Sequence, residues 1–190
     1  MADVLLFHSV YGLRPAVLAA ADRLRDGGHR VITPDLYAGA VVDTVEEGFA
    51  LRNRIGIDVV LARAGEALGD LPAGGVLAGL SMGGSIAQEL GVADPRVSGL
   101  LLLHGVGGPP EKATAGLPVQ VHTMNGDEYA TPEEIAEWSQ AMDRFGTQHE
   151  IFRYDGGGHL YTDADLPDYH GPSAELTWER CMAFLASLTT

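Results

Sequence analysis

Short apolar runs alternate along the chain with longer segments whose apolar residues recur at helical spacing. The short runs have the length of buried strands and cover residues 4–8, 30–33, 76–80, 99–104, 119–124 and 151–154. The amphipathic segments lie between them, at residues 15–25, at 44–68, from residue 131 onward and at 172–188. Such alternation predicts an α/β protein with a mostly parallel central sheet and helices on both faces.

Two of the amphipathic segments begin with a capping box. In Thr44-Val45-Glu46-Glu47, the Thr44 hydroxyl is placed to accept a hydrogen bond from the Glu47 backbone N–H, and the Glu47 carboxylate is placed to accept one from the Thr44 backbone N–H. Thr131-Pro132-Glu133-Glu134 repeats the pattern, with a proline in the first turn where its missing N–H is not needed. We therefore predict helix starts at both threonines.

The stretch Gly79-Leu80-Ser81-Met82-Gly83-Gly84 joins the apolar run at 76–80 to a segment that is compatible with a helix. A serine at such a corner is held in a strained turn that lifts its hydroxyl clear of the sheet. Gly79 and Gly83 lie two residues to either side, where any Cβ would collide with the returning helix. The corner also leaves the Met82 N–H free to face a developing oxyanion. These features predict Ser81 as a nucleophile.

The same stretch also fits a chance match to the motif or a phosphate-binding loop. The pattern G-x-S-x-G arises by chance in a chain with 25 glycines. A glycine-rich turn between strand and helix can also hold a phosphate. Such a loop needs a lysine directly after its glycines, and here Ser85 follows Gly84. The strand before the turn and the helix after it favour the catalytic serine.

A serine hydroxyl needs a base within hydrogen-bond distance and an acid that fixes the tautomer of that base. Functional groups of parallel sheets collect at the carboxyl ends of the strands. Asp127 follows the run at 119–124 and His159 follows the run at 151–154, which gives the order serine, acid, histidine. Glu128 and Asp155 are alternative acids, and Asp127 is preferred because it follows its strand in a tight glycine turn.

The other six histidines fit the role of base less well. His8 and His104 end strands near the same edge, but neither comes after the acid in the chain. From their positions we expect the others to lie within a strand as a core or face residue (His122), to occupy surface turns (His29, His149) or to precede the final helix (His170). The three glycines before His159 allow its ring to swing over Ser81. The second oxyanion donor is expected in the loop after the first strand, at the Val10 N–H.

Composition limits the possible roles of the chain. Its 190 residues, 46% hydrophobic and 20% charged, fit one globular domain over residues 1–190. The net charge of −14 disfavours binding to nucleic acid or to an anionic membrane. Residues 1–7 lack the basic start of a signal peptide, so we expect a cytoplasmic protein. Cys181 is expected to be buried, and the spacing of His, Cys and Asp indicates no metal or organic cofactor.

The chain resembles the dienelactone hydrolase family of the α/β-hydrolase fold, nearly from end to end. The stretches that carry the resemblance are Ser9-Val10-Tyr11-Gly12-Leu13, Val31-Ile32-Thr33-Pro34-Asp35-Leu36-Tyr37, residues 79–84, Asn125-Gly126-Asp127 and residues 154–161. The resemblance implies a triad of Ser81, Asp127 and His159, oxyanion donors at Val10 and Met82, and pocket residues at Tyr11, His104 and Tyr129. The loop at 105–116 is too short to form a lid domain over this site.

Three features depart from the family pattern. Founding members carry a cysteine nucleophile and a glutamate in the early loop that helps to ionise it, whereas this chain has Ser81 and Ser9 there. Both changes agree with activation of the serine by histidine. Members also hold a substrate carboxylate with arginines, one of them shortly after the histidine, where this chain has Asp163. Arg52 or Arg54 could substitute, and a neutral ester is expected rather than dienelactone.

The sequence therefore predicts a serine hydrolase, monomeric or homodimeric, that cleaves small carboxylic esters, lactones or thioesters without a nucleic-acid or membrane partner. Two alternatives stay open. One is a binding protein that keeps the hydrolase fold without turnover, and the other is an acyltransferase that passes the acyl group to an acceptor other than water.

Overall fold

The computed structural model describes residues 1–188, and its centre is one sheet of six parallel strands. The strands are β1 (Asp3–Phe7), β2 (Arg30–Ile32), β3 (Gly75–Leu80), β4 (Val97–Leu103), β5 (Pro118–Met124) and β6 (Gln148–Tyr154), and their spatial order is β2, β1, β3, β4, β5, β6. The predicted parallel sheet is confirmed. β6 begins earlier than its apolar run because it is an edge strand whose first residues include the exposed Gln148 and Glu150.

The described residues form six helices, which cover both faces of this sheet as predicted. They are α1 (Pro15–Asp26), α2 (Val45–Ile55), α3 (Ile57–Gly69), α4 (Met82–Gly91), α5 (Pro132–Arg144) and α6 (Gly171–Ser187). In β1, Val4 and Leu6 belong to one core cluster with residues of α1 and α6, while Leu5 and Phe7 belong to another with residues of the other four helices. This division follows from the alternation of side chains along a strand. None of the helices within residues 1–188 has the length and apolarity needed to cross a membrane.

The segment predicted as one amphipathic stretch at 44–68 is two helices. α2 ends at Ile55, α3 starts at Ile57, and Gly56 between them has φ 93°. A residue with a Cβ rarely adopts that conformation, whereas glycine does so without strain. The single-stretch interpretation was therefore wrong at Gly56.

The two predicted capping boxes have different outcomes. At α5 the box is complete, because Thr131 Oγ1 accepts from Glu134 N (3.3 Å) and Glu134 Oε2 accepts from Thr131 N (3.0 Å). At α2, Thr44 Oγ1 accepts from Glu47 N (3.2 Å), but the Glu47 carboxylate accepts from Asp43 N (3.3 Å) and not from Thr44. At α2 the predicted bond from Thr44 N to the Glu47 carboxylate was therefore wrong, because the donor is the preceding residue, Asp43.

The topology concentrates strand ends at one edge of the sheet. β1 has β2 on one side and β3 on the other, so the path of the chain across the sheet reverses between β1 and β3. Open parallel sheets bind ligands at the carboxyl ends of strands beside such a reversal. There β1 leads into Val10 and β3 leads into Ser81, while β5 and β6 lead into the loops that carry Asp127 and His159.

Candidate active site

Ser81 lies at a tight corner between β3 and α4. Its backbone has φ 54° and ψ −112°, which is an unusual conformation for a residue with a side chain, and its N–H donates to Leu103 O (2.8 Å). A Cβ on Gly79 would lie 2.0 Å from the carbonyl carbon of Gly83, and one on Gly83 would lie 2.3 Å from Phe7 O. The predicted crowding against the helix is present at Gly79, whereas a Cβ at Gly83, which itself lies on α4, would collide with the end of β1.

Three polar side chains from distant parts of the chain meet at this corner. His159 Nε2 lies 2.7 Å from Ser81 Oγ, and His159 Nδ1 lies 2.6 Å from Asp127 Oδ2. Asp127 Oδ1 accepts from Tyr129 N (2.9 Å), which fixes the orientation of the carboxylate. The Asp127 side chain is 1% exposed and that of His159 is 12% exposed.

These contacts determine the tautomer of His159. An ionised carboxylate only accepts hydrogen bonds, so the proton of the neutral ring lies on Nδ1 and is donated to Asp127. The lone pair of Nε2 is then left to accept the hydroxyl proton of Ser81. The arrangement can therefore withdraw a proton from the serine, which an isolated serine hydroxyl does not lose at neutral pH.

The two residues predicted to supply oxyanion donors, Val10 and Met82, have main-chain N–H groups that are available to a substrate. Met82 is the first residue of α4, so its N–H has no acceptor within the helix. Among residues 1–188, the Val10 N–H makes no backbone hydrogen bond. Both residues line the same cavity as Ser81.

His8 orients the peptide group that carries the Val10 N–H. Leu36 N donates to His8 Nε2 (3.1 Å), so His8 Nδ1 carries the ring proton and donates to Ser9 O (2.7 Å). Burial lowers the pKa of His8, which favours this neutral form. Because the C=O and N–H of a trans peptide point in opposite directions, the Val10 N–H points away from His8.

A cavity of about 380 Å³ opens beside Ser81. Its apolar walls come from Phe49, Ile57, Leu61, Ile86 and Val106. His104 and Tyr129, two of the predicted pocket residues, also line this cavity, and the Tyr129 ring lies 4.9 Å from that of His159. Burial, reinforced by the nearby His159, lowers the pKa of His104 well below its ordinary value, so His104 is neutral.

Tyr11, the third predicted pocket residue, does not line this cavity. It lines a neighbouring cavity on the other side of His159, together with Asp127, Tyr129 and Asp168. The guanidinium carbon of Arg14 lies 5.1 Å from the centre of the Tyr11 ring, and Tyr11 N donates to Ser9 Oγ (3.3 Å). Tyr11 therefore borders His159 from this second cavity, and its role in binding substrate stays a prediction.

The two arginines considered as substitutes for the family's carboxylate-binding arginines lie in different places. Arg52 lines the cavity beside Ser81, whereas Arg54 is exposed on α2 outside it. The Arg52 guanidinium donates twice to Asn53 Oδ1 (3.2 and 2.9 Å) and lies over the Phe49 ring. Asp163, at the position of the family's second arginine, pairs with Arg14 (3.6 Å).

The remaining histidines mostly occupy the predicted places. His122 is buried in β5, where its ring bonds Tyr154 Oη (2.7 Å) and Gln120 Oε1 (2.9 Å). His149 was expected in a surface turn, and that prediction was wrong. It lies on β6 with only 9% of its side chain exposed, against the ring of Trp138. The edge strand extends further toward its start than its apolar residues indicate.

Two residues that support the site had no signal in the sequence. Gln88 on α4 accepts from Gly107 N (3.1 Å) and Trp138 Nε1 (2.7 Å) and donates to Gly108 O (2.7 Å), so it anchors the loop after β4. Asp168 bonds the segment that carries His159. Within the described part of the chain, no three His, Cys, Asp or Glu side chains are grouped as metal ligands.

Comparison with known proteins identifies the family. Residues 2–189 match the sequence profile of the dienelactone hydrolase family. The chain belongs to this family. Membership makes it a carboxylic ester hydrolase that acts on a small-molecule substrate. A relative, the carboxymethylenebutenolidase of Rhodococcus opacus, is 26% identical in an alignment that covers 98% of this chain and 81% of the relative.

Solved structures show the same α/β-hydrolase fold. A dienelactone hydrolase-like promiscuous phosphotriesterase from metagenomic libraries superposes with a TM-score of 0.82 at 18% identity, over 99% of this chain and 87% of that protein. An esterase of Thermogutta terrifontis gives a TM-score of 0.66 at 18% identity, over 98% of this chain and 83% of that one. These similarities confirm the predicted fold class.

Proposed function

We propose that this member of the family hydrolyses small carboxylic esters, lactones or thioesters through an acyl-enzyme formed on Ser81. The observation that carries the proposal is the hydrogen-bonded series from Ser81 Oγ through His159 to Asp127, at 2.7 and 2.6 Å. The series borders an apolar cavity in which an acyl group can be buried with its carbonyl carbon next to Oγ.

In the first half of the reaction, Ser81 Oγ attacks the carbonyl carbon and its proton passes to His159 Nε2. The carbonyl oxygen becomes an oxyanion, to which the N–H groups of Met82 and Val10 donate. Asp127 stabilises the imidazolium that has formed. The bond from the carbonyl carbon to the leaving oxygen or sulfur then breaks, and His159 protonates the leaving group.

In the second half, water attacks the acyl group on Ser81 and gives its proton to His159 Nε2. The same two N–H groups stabilise the second tetrahedral intermediate. When the intermediate collapses, His159 returns the proton to Ser81 Oγ and the carboxylic acid leaves. Every step uses groups of this chain, the ester and water.

The cavity favours an uncharged acyl group. Its walls are mainly apolar, and the guanidinium of Arg52, its cation, is already engaged by Asn53 and the Phe49 ring. Shortly after His159, where members of the family carry an arginine, this chain has the acidic Asp163. Lactones belong to the proposed class because the Rhodococcus opacus relative is a carboxymethylenebutenolidase, and butenolides are lactones.

Substitution of Ser81 tests the proposal. We expect Ser81→Ala to lower the kcat for p-nitrophenyl acetate by on the order of a thousandfold or more, with an unchanged circular dichroism spectrum. Retention of wild-type turnover by Ser81→Ala would overturn the proposal. A fluorophosphonate probe, which reacts only with an activated serine, is expected to label the wild type and not the variant.

The same experiments discriminate the two alternatives. A binding protein without turnover would leave the fluorophosphonate probe unreacted in the wild type. An acyltransferase would convert p-nitrophenyl acetate mainly to the acyl ester or amide when an alcohol or amine is added. We expect acetate as the main product of the wild type.

A further inference from the structure

His159 lies in a segment without helix or strand. β6 ends at Tyr154, α6 starts at Gly171, and the residues between them form turns and irregular chain. Three glycines precede His159, and glycine has more backbone freedom to lose on folding than any other residue. Hydrogen bonds outside any helix or sheet must therefore hold the imidazole against Ser81.

Asp168 supplies two such bonds, one on each side of His159. Gly158 N donates to the main-chain oxygen of Asp168 (2.9 Å), and Leu160 N donates to its side-chain Oδ2 (2.9 Å). The amides that flank His159 are thus both bonded to one residue.

Close packing accompanies these bonds. A Cβ on Gly158 would lie 2.5 Å from the carboxyl carbon of Asp168, and one on Gly157 would lie 2.8 Å from its main-chain oxygen. A third bond, from His170 N to Tyr161 O (3.0 Å), continues the contact between the two parts of the segment. The segment therefore folds back on itself around Asp168.

The geometry points to Asp168 as a positioning residue, whose carboxylate holds the backbone of His159 so that Nε2 stays within hydrogen-bond distance of Ser81 Oγ. This inference rests on the proposed role of His159 as the base. Asp168 acts as an acceptor for Leu160 N and not through its charge. The amide oxygen of asparagine can accept the same bond, whereas alanine removes the acceptor.

Two substitutions of Asp168 test the inference. We expect Asp168→Ala to lower the kcat for p-nitrophenyl acetate by about tenfold to a hundredfold, with KM changed by less than about threefold, because small displacements of a catalytic group lower the rate steeply. Asp168→Asn is expected to keep kcat within about threefold of the wild type, because its Oδ1 replaces the lost acceptor. The rate of fluorophosphonate labelling should follow kcat in both variants.

Asp165→Ala is the matched control. Asp165 is an exposed acid in the same segment, and in residues 1–188 its side chain accepts no hydrogen bond. We expect wild-type kcat for this variant. If Asp168→Ala does not fold, Asp168→Glu replaces it, because glutamate keeps the charge but displaces the acceptor by one methylene, and we expect it to lower kcat.

Two results would overturn the positioning role. One is an Asp168→Ala or Asp168→Glu variant with the kcat of Asp165→Ala, and the other is an Asp168→Asn variant as impaired as Asp168→Ala, which would indicate an effect of charge. Failure of the proposed function is recognised separately, because Ser81→Ala would then keep wild-type turnover.

Discussion

Gly79 and Gly83 are required by distance and not by backbone conformation. The atoms that a Cβ would meet are main-chain atoms of the corner and of β1, which cannot move aside as a flexible side chain can. Relief of such an overlap needs a shift of the strand or of the helix. The crowding therefore links the stability of the fold to the placement of Ser81.

Alanine at position 83 tests this crowding. We expect Gly83→Ala to lower the free energy of unfolding in urea by about 3 kcal/mol and to abolish labelling of Ser81 by a fluorophosphonate. Gly65→Ala on α3 is the control, because no atom lies within 4 Å of the added Cβ. That change should stabilise the protein by about 0.5–1 kcal/mol. Equal stability of the two variants would contradict the account.

Buried histidine predicts a dependence of stability on pH. Burial lowers the pKa of His122 from 6.5 to about 3, so between these values the unfolded chain binds a proton that the folded chain does not. The free energy of unfolding therefore falls as the pH decreases from 6.5 toward 3, by up to about 1.4 kcal/mol per pH unit for this residue.

His122→Gln isolates this contribution. We expect the stability advantage of the wild type over His122→Gln, measured in urea, to shrink as the pH is lowered from about 7 to about 4.5. Parallel stability curves over that range would show that His122 binds protons equally in the folded and unfolded chains. Measurement of the difference between two variants removes the contribution of all other titrating groups.

At the scale of residues, the parts of the site that the sequence predicts are those whose signal is local. Ser81 and the glycines around it are recognisable because one corner imposes all their requirements within a few residues. Asp168 has no such signal, since an acid in a turn is ordinary and its bonds depend on how residues 155–170 fold back. The place of Arg52 depends on the packing of α2 and is likewise invisible in the sequence.

Helix starts show how closely an element can be predicted from its first turn. The α5 box forms in full, whereas the α2 box loses one partner to Asp43. We expect Thr131→Ala to lower the free energy of unfolding by about 1 kcal/mol, and Thr44→Ala by about half as much. Urea unfolding of both variants measures the difference, and a larger cost for Thr44→Ala would contradict the assignment.

The break at Gly56 shows why the helical period alone was insufficient. Apolar spacing continues across residue 56, so the pattern of residues 44–68 resembles one amphipathic stretch. Single glycines are tolerated within helices, and only the positive φ at Gly56 reveals that two helices meet there. The bend lets α2 and α3 contribute Phe49, Ile57 and Leu61 to one cavity wall.

Substitution of Arg52 on α2 tests whether the site prefers neutral or anionic substrates. We expect Arg52→Gln to leave the kcat/KM for neutral p-nitrophenyl esters within about threefold of the wild type, because the guanidinium is engaged by Asn53 and Phe49. Arg54→Gln, on the same helix but outside the cavity, is the control. A selective loss of activity toward esters with a distal carboxylate would show that Arg52 binds anionic substrates.

At the scale of the whole molecule, the sheet converts distance in sequence into proximity. Ser81, Asp127 and His159 follow three different strands, and the parallel order brings their loops to one edge. The alternation of apolar runs and amphipathic segments was sufficient to predict that architecture. The alternation does not predict the spatial order of the strands, because that order depends on the face of the sheet along which each connection runs.

Trapping of the acyl-enzyme tests the central claim most directly. The protein is mixed with p-nitrophenyl trimethylacetate, whose acyl group is released slowly, then quenched in acid and analysed by mass spectrometry before and after digestion. We expect one trimethylacetyl group per chain, located on the peptide that contains Ser81 and absent from Ser81→Ala. Release of p-nitrophenol with no adduct on that peptide, or with the adduct on another residue, would contradict the account.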